Sequence, residues 1–255
     1  MFDFLVLPEG RSNHFAALAA LSGMTDRIGL VGTVDTTVNE PFEVSRQFAT
    51  LDHISGGRAG WSIGAPPDRD QYRRTAEFVA VARAFWDSWA PDAVLVDVDT
   101  GIYADPNRIV PVDFHGTHFD VRGVATLPAG PQGHPVLVAA ADSEEGRQFG
   151  AEQADVLVTS EPSQRHYADV KARAAMHGRN PDRLKVFASY GQFTGSAADI
   201  VARIDHYVQS DACDGFVLTP HGLDGFVERV VPLLQERGVF RTGFRGRTLR
   251  ENLGL

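Results

Sequence analysis

The chain has 255 residues, a formal net charge of −9, and a composition of 43% hydrophobic and 22% charged residues. This length fits one large α/β domain, and the supply of apolar residues excludes a disordered chain. Because the chain is acidic and has no continuous basic run, we exclude nucleic acid as a partner.

The cysteine count and the first residues bear on the compartment. Cys213 is the only cysteine, so the chain can form neither an internal disulfide nor a cysteine-based metal cluster, and we expect a reducing, cytoplasmic location. No positive charge precedes a short apolar run that ends at Pro8. We therefore expect neither a signal peptide nor a membrane span.

In chain order, short apolar runs alternate with longer amphipathic stretches, a pattern typical of parallel strands joined by crossover helices. The runs predict strands at residues 4–7, 28–33, 59–63, 136–140, 156–159, 184–190 and 215–218. The stretches predict helices at residues 14–24, 41–53, 72–89, 144–153, 164–177, 197–209 and 223–237. Ser143, Ser163 and Ser196 precede three of these helices, where a serine oxygen accepts from a free amide.

Residues 91–130 interrupt the alternation with Asp, Gly, Pro and isolated aromatic residues. We interpret them as a long loop excursion between the third and fourth strands, and loops of this length tend to be lids or binding segments. No linker divides the chain, which predicts a single domain over residues 1–255. The alternation itself is compatible with a closed barrel and with an open doubly wound sheet.

Three groups of motifs follow one another along the chain. The first reads RIGLVGTVDTTVNEPF at residues 27–42 and LDHISGGRAGWSI at residues 51–63. The second includes FWDSW, HGTHFDVRG, PQGHPV and SEEGR within residues 85–147, and the third includes DGFVL and TLRENLGL within residues 214–255. Together they resemble the luciferase-like flavin monooxygenases, in the branch of nitrilotriacetate and dibenzothiophene-sulfone monooxygenases. The resemblance implies an α/β fold that is a TIM-type (β/α)8 barrel.

The resemblance also implies that parts of the family barrel are missing. Relatives begin with a strand and a helix before the segment that matches residues 2–5, and they carry a long insertion before the final strand. Here residues 191–195 pass directly to the helix after Ser196. We therefore expect a shortened barrel without the first strand–helix unit and without the late insertion.

In this family the reagent is reduced FMN, which reacts with oxygen and oxygenates an organic substrate. The cofactor carries the chemistry, while the protein binds it, orients it and excludes water. The resemblance thus implies FMN as cofactor, a separate flavin reductase as functional partner and a small organic substrate, and we assign no catalytic residue. Exposed strand edges in a shortened barrel would favour a homodimer.

The segment ADSEEGR at residues 141–147 is the candidate phosphate site, because it follows a predicted strand and opens a predicted helix. Amides around Ser143 and Gly146 would bind the phosphate, and the Arg147 guanidinium would add a bidentate contact. The alternative is a capping serine beside a solvated arginine. Ala141 stands where relatives have glycine, and Asp142 adds an unfavourable negative charge.

Four further residues match family positions near the flavin ring. Gly32 and Thr33 end a predicted strand, where a small residue and a hydroxyl would meet the ring; core packing is the alternative. Ser62 replaces a family asparagine and keeps a polar group. Tyr72 remains as a flavin or phosphate contact, although the segment before it, residues 64–71, lacks the histidine that relatives have there.

Two other functions stay open beside the two-component monooxygenase. One is a shortened, non-catalytic family member that binds flavin or has lost the cofactor, and the other is a deazaflavin-dependent oxidoreductase. We expect no metal site, because the pair of His115 and His118 has neither a third ligand nor helical spacing. We interpret that pair as loop structure.

Overall fold

A computed structural model of the chain describes residues 2–8, 10, 13–64, 66, 68–191, 194–219 and 222–255. The described residues form two compact units. The first unit consists of Phe4–Leu137 and Arg247–Arg250, and the second of residues 2–3, Val138–Gly246 and Glu251–Leu255. Residues 65, 67, 192 and 193, from the two segments in which the sequence departs from the family, lie outside the described residues.

The first unit begins with three strand–helix pairs. They are β1 (Phe4–Leu7), α1 (His14–Met24), β2 (Gly29–Val34), α2 (Pro41–Ser55), β3 (Ala59–Ile63) and α3 (Arg69–Trp86). The three strands are parallel, with Phe4 opposite Gly29 and Leu30 opposite Ala59. β2 and β3 are buried along most of their length, as expected of parallel strands that helices cover.

Residues 91–130 contain two antiparallel hairpins, so the prediction of a loop there was incomplete. β4 (Val94–Asp97) pairs with β5 (Ile102–Ala104), and β6 (Val112–His115) pairs with β7 (Asp120–Gly123). His115 therefore ends a strand and does not lie in a loop. None of these strands exceeds four residues and β4 and β5 are largely exposed, so no buried alternation marks them in the sequence.

The second unit continues the strand–helix alternation. β8 (Val136–Ala140), whose last three residues belong to this unit, pairs with β9, β9 with β10 and β10 with β11, all in parallel. The other elements are α4 (Glu144–Gln153), β9 (Val156–Thr159), α5 (Gln164–Met176), β10 (Lys185–Tyr190), α6 (Ala197–Gln209), β11 (Gly215–Leu218), α7 (Leu223–Arg229), α8 (Val231–Glu236) and, at the end of the chain, α9 (Leu249–Leu253).

All seven predicted strands are present, and five have the predicted bounds. β2 is shifted by one residue at both ends, and β10 begins one residue later than predicted. The helix predicted at 223–237 is two helices, α7 and α8, because Pro232 has no N–H to donate to the preceding turn.

Helix α3 begins before the predicted residue because the Asp68 carboxylate accepts from the Gln71 amide at 2.9 Å. Within the described ranges, no helix combines the length and apolar character needed to cross a membrane.

A buried carboxylate fixes the connection between α2 and β3. Asp52 is fully buried and accepts from the Ala59 amide at 3.1 Å and from the amide and side chain of Gln132 at 3.0 and 2.6 Å. Burial raises the pKa of the Asp52 carboxyl, and these hydrogen bonds oppose that rise. The chain then turns through Gly56 and Gly57, whose φ angles of 68° and 89° favour glycine.

A buried guanidinium completes the same connection. Arg58 is 3% exposed. Its Nε donates to the Ser55 carbonyl at 2.7 Å, and its Nη1 to Thr25 Oγ1 and the Ile28 carbonyl, both at 2.9 Å. Its Nη2 donates to the carbonyls of Ser22 at 3.0 Å and Thr25 at 2.8 Å. All five N–H groups are thus used, which makes the burial of this charge tolerable.

We predict that Arg58→Lys lowers the free energy of unfolding by roughly 2–4 kcal/mol, because three ammonium donors cannot satisfy the acceptors that five guanidinium donors reach. Urea unfolding followed by tryptophan fluorescence measures the change. Arg46→Lys, at an arginine whose exposed side chain pairs with Glu43, is the matched control and should cost less than about 0.5 kcal/mol. Equal unfolding midpoints for the two variants would contradict the role assigned to Arg58.

Candidate functional site

The C-terminal ends of β2 and β3 bring together Thr33 and Ser62, two of the residues that the sequence predicts to contact flavin. They are register partners on adjacent parallel strands, so their side chains project from the same face of the sheet. Both are partly exposed. The first unit therefore presents two neighbouring hydroxyl groups, each able to donate or accept a hydrogen bond, at the end of the strands.

Gly32 faces the opposite side of β2. A Cβ atom at this position would lie 3.0 Å from His14 Cδ2 and 3.0 Å from Leu18 Cδ1, and both residues belong to α1. Core packing, the alternative that the sequence left open, thus accounts for this glycine. Its predicted contact with the flavin ring gains no support from the arrangement in the first unit.

Tyr72 lies near the start of α3, and 9% of its surface is exposed. This part of α3 runs beside the C-terminal end of β2, because the hydroxyl oxygens of Thr75 and Thr36 are 2.8 Å apart. Tyr72 is therefore at the same end of β2 as Thr33. Of the four residues predicted for the ring, the first unit brings Thr33, Ser62 and Tyr72 to one end of its strands.

In the second unit, α4 begins at the predicted serine. Ser143 Oγ accepts from the Gly146 amide at 2.9 Å, so the serine caps the helix. Ala141 is fully buried, and its amide donates to the Val158 carbonyl at 2.9 Å. The amides of Glu144 and Glu145, in the first turn, have no carbonyl of the helix to pair with, and they are the donors that a phosphate would meet.

Carboxylates surround this helix start. Asp142 Oδ1 accepts from the Ser160 amide at 2.7 Å and from Thr159 Oγ1 at 3.1 Å, which ties the start of α4 to the end of β9. Glu144 and Glu145 place two more carboxylates in the first turn. Together with Asp142 they oppose the binding of a phosphate dianion, although the helix dipole favours it.

The Arg147 guanidinium already has acidic partners. Its Nη2 lies 2.7 Å from a carboxylate oxygen of Glu144, and its Nε lies 3.4 Å from Asp169 on α5. Arg173 pairs with the same two carboxylates at 2.6 and 3.0 Å. Hydrogen bonds from Arg173 and Arg147 lower the pKa of the Glu144 carboxyl. The predicted phosphate contact of Arg147 would therefore require it to leave one of these partners.

His166, in the first turn of α5, was not singled out in the sequence. Its Nε2 atom is buried and has no hydrogen-bond partner among the residues that the structure describes. Burial lowers the pKa of the His166 imidazole, and the positive charge of Arg147, in the candidate phosphate site, lowers it further. The only sequence signal nearby was Ser163, which caps α5 by accepting from the His166 amide at 3.2 Å.

The two histidines of the HGTH motif make separate contacts. His115 lies between the carboxylates of Asp113 and Asp120, at 3.3 and 2.8 Å. The His118 amide donates to the Glu77 carboxylate at 2.7 Å, which fixes the turn between β6 and β7 against α3. Over the part of the chain that the structure describes, no three His, Cys, Asp or Glu side chains are placed to hold a metal ion.

Known proteins match this chain over most of its length. The family profile described as luciferase-like monooxygenase matches residues 2–226. Nitrilotriacetate monooxygenase component A of Aminobacter aminovorans is 30% identical, with 97% of this chain and 80% of that protein covered. A pristinamycin IIA synthase subunit of Streptomyces pristinaespiralis is 31% identical, with 97% of this chain and 79% of that protein covered. The resemblance predicted from the motifs is confirmed.

A solved structure supports the same fold. Riboflavin lyase, crystallised with modified FMN and its substrate riboflavin, superimposes with a TM-score of 0.92 at 23% identity. The superposition covers 99% of this chain and 85% of the other. The predicted luciferase-like fold of TIM-barrel type is confirmed.

We predict that the pKa of His166 lies below the ordinary value of histidine, about 6.5, and rises in Arg147→Gln, which removes a nearby positive charge. Because the folded-state pKa is the lower one, protonation of His166 destabilises the fold, and stability rises with pH between the folded and unfolded pKa values. Histidine ring NMR resonances followed against pH measure the pKa. Arg183→Gln, at an exposed arginine outside α4 and α5, is the control. An unshifted His166 in the wild type would contradict the burial.

Proposed function

Because the chain belongs to the luciferase-like monooxygenase family, we propose that it is a two-component, FMN-dependent monooxygenase. It would take reduced FMN from a separate flavin reductase and use oxygen on a small organic substrate. The observation that carries the proposal is the pair of hydroxyls, Thr33 and Ser62, at the C-terminal ends of adjacent parallel strands, where barrels of this class have their sites. The name of the Aminobacter relative, component A, supports the two-component type.

The proposed contacts form two sets that can be tested separately. In the first unit, Thr33 and Ser62 would hydrogen-bond to a flavin, and Tyr72 would close the site beside them. In the second unit, the amides that follow Ser143 would bind a phosphate, and the His166 nitrogen would add a contact. FMN supplies the redox chemistry when bound, while the residues of each set would bind a flavin or a phosphate group and exclude water from it.

A second candidate function is a non-catalytic family member that binds flavin or has lost the cofactor. The carboxylates at the start of α4 and the engagement of Arg147 by Glu144 and Asp169 favour it. The alignment with nitrilotriacetate monooxygenase component A extends over 361 positions, more than the 255 residues of this chain, so that relative has residues that this chain lacks. A deazaflavin-dependent oxidoreductase is the third candidate.

We predict that FMN quenches tryptophan fluorescence, and that anaerobically reduced FMN binds more tightly than the oxidised form. Ser143→Ala should weaken binding about tenfold or more, because it frees the helix start from its fixed geometry and removes a hydroxyl. Ser196→Ala removes the corresponding cap of α6, so it is the matched control and should bind FMN as the wild type does.

The same titration separates the candidates. Tight binding of a deazaflavin with no binding of FMN would replace the first candidate by the third. If neither oxidised FMN, reduced FMN nor the deazaflavin binds, the monooxygenase proposal is contradicted and the non-catalytic family member remains. Binding without formation of an oxygenated product, when a flavin reductase, NADH and a panel of organic substrates are added, would favour the flavin-binding form of that second candidate.

The proposed homodimer has a candidate contact surface in the β4–β5 hairpin. Leu95, Val96, Val98, Ile102 and Tyr103 are large apolar residues with exposed fractions of 51, 59, 87, 47 and 60%. Clustered exposure of this kind is typical of an interface, and a two-stranded hairpin has little stability alone. We propose that a second copy of the chain covers this hairpin.

We predict that Val98→Asp converts a dimer to a monomer, because the new charge would be buried in the contact without a partner. Light scattering coupled to size-exclusion chromatography measures the mass. Met176→Asp changes an equally exposed apolar residue, at 77%, on α5 and should leave the mass unchanged. A wild-type protein that is already monomeric at high concentration would remove the proposal.

Two further predictions from the sequence accompany the proposed function. The chain is proposed to act as a single domain over residues 1–255, with residues 91–130 as an excursion, although the described residues form two compact units. A cytoplasmic location rests on the single Cys213. Limited proteolysis and cell fractionation would test them.

A further inference from the structure

The second unit contains a cavity of about 370 Å³ at the C-terminal ends of β10 and β11, beside the starts of α6 and α7. This volume lies in the range of sites that hold small molecules. None of the eight residues that the sequence predicts to bind flavin lines it. The cavity is therefore a separate candidate site, and an inference about it does not depend on flavin binding.

One wall of the cavity is apolar. Ile200 and Val230 line it and are 7% and 2% exposed, as members of the core cluster between α6 and α8. Phe226 packs against the same cluster and also lines the cavity, as does Leu218, the last residue of β11. This wall offers a ligand an aromatic ring and branched side chains on a rigid base, which suits an apolar group.

Arg229, at the end of α7, supplies a positive charge to the cavity. Among the described residues, no carboxylate forms an ion pair with it, in contrast to Arg147 and Arg173. A Cβ atom on Gly225 would lie 2.6 Å from Arg229 Nη2. Because glycine has no side chain, the guanidinium can occupy this space. Arg229 thus lines the cavity with a charge that a ligand could neutralise.

Another part of the cavity lining consists of glycines, which have no side chains. Gly191 and Gly195 line it, and the Thr219 amide donates to the Gly191 carbonyl at 3.1 Å, which ties the segments after β10 and β11 together. A ligand here would meet backbone and the two hydroxyl residues Ser196 and Thr219 in addition to the guanidinium. A single cation beside apolar side chains matches a molecule with one anionic group and one apolar body.

We propose that this cavity binds a small organic carboxylate. The carboxylate pairs with Arg229, in the bidentate geometry that a guanidinium favours. The apolar body lies against Leu218 and Phe226. Inorganic phosphate satisfies only the first of these contacts and a neutral isostere only the second, so the pairing of the two contacts defines the ligand class.

Isothermal titration calorimetry with benzoate, benzamide and inorganic phosphate tests the proposal on the full chain. Benzoate is expected to bind saturably, and benzamide and phosphate at least about tenfold more weakly, because each lacks one of the two contacts. Arg229→Gln, at an exposed residue, should reduce benzoate affinity to a similar extent. Arg237→Gln is the matched control, since Arg237 is exposed and does not line the cavity.

A second variant guards against an indirect effect. Gly225→Ala keeps the charge but displaces the guanidinium, and it should also weaken benzoate binding while circular dichroism stays unchanged. Absence of benzoate binding to the wild type would overturn the proposal. So would equal benzoate affinities of the wild type and Arg229→Gln, or equal affinities of the wild type for benzoate and benzamide. FMN titration of the same samples is independent, so failure here and failure of the proposed function can be told apart.

Discussion

The buried carboxylate of Asp52 determines where β3 begins and which way its residues face. It holds the amide of Ala59, the first residue of β3, together with Gln132, while Arg58 binds carbonyls in the connection from α1 to β2. These contacts hold β2 and β3 in the register that sets Thr33 opposite Ser62. Loss of the partners of Asp52 or Arg58 would lower the free energy of unfolding and would also disturb the geometry of the candidate site.

The same constraint explains why the motif LDHISGGRAGWSI identifies the family so well and the chemistry so poorly. Asp52 and Arg58 are buried and structural, Gly57 adopts a conformation that favours glycine, and Trp61 packs among the aromatic residues of α2 and α3. Only Ser62, of the residues in this stretch, projects beside another candidate site residue. A motif whose residues mostly make core contacts predicts the fold better than it predicts an activity.

Much of the fold could be predicted because parallel strands are continuous apolar runs and serine caps mark helix starts. All seven strands and the caps of Ser143, Ser163 and Ser196 were predicted in this way. The break at Pro232 was legible in principle, whereas the exposed hairpins of residues 91–130 carry no buried periodicity. The partners of Arg147 on α5, and the nearness of His166, arise from packing between helices, which no single stretch of sequence reveals.

Attractive and repulsive groups both act on a phosphate at the start of α4, and their balance decides whether this helix can bind the phosphate of FMN. The start of α4 offers free amides, yet Asp142 and the two glutamates of the first turn surround them. The most direct measurement is the shift of the Ser143, Glu144 and Glu145 amide resonances on addition of FMN, compared with riboflavin, which lacks the phosphate. We predict that FMN shifts these amide resonances and that riboflavin does not. Equal shifts with both, or none with either, would contradict a phosphate site at this helix.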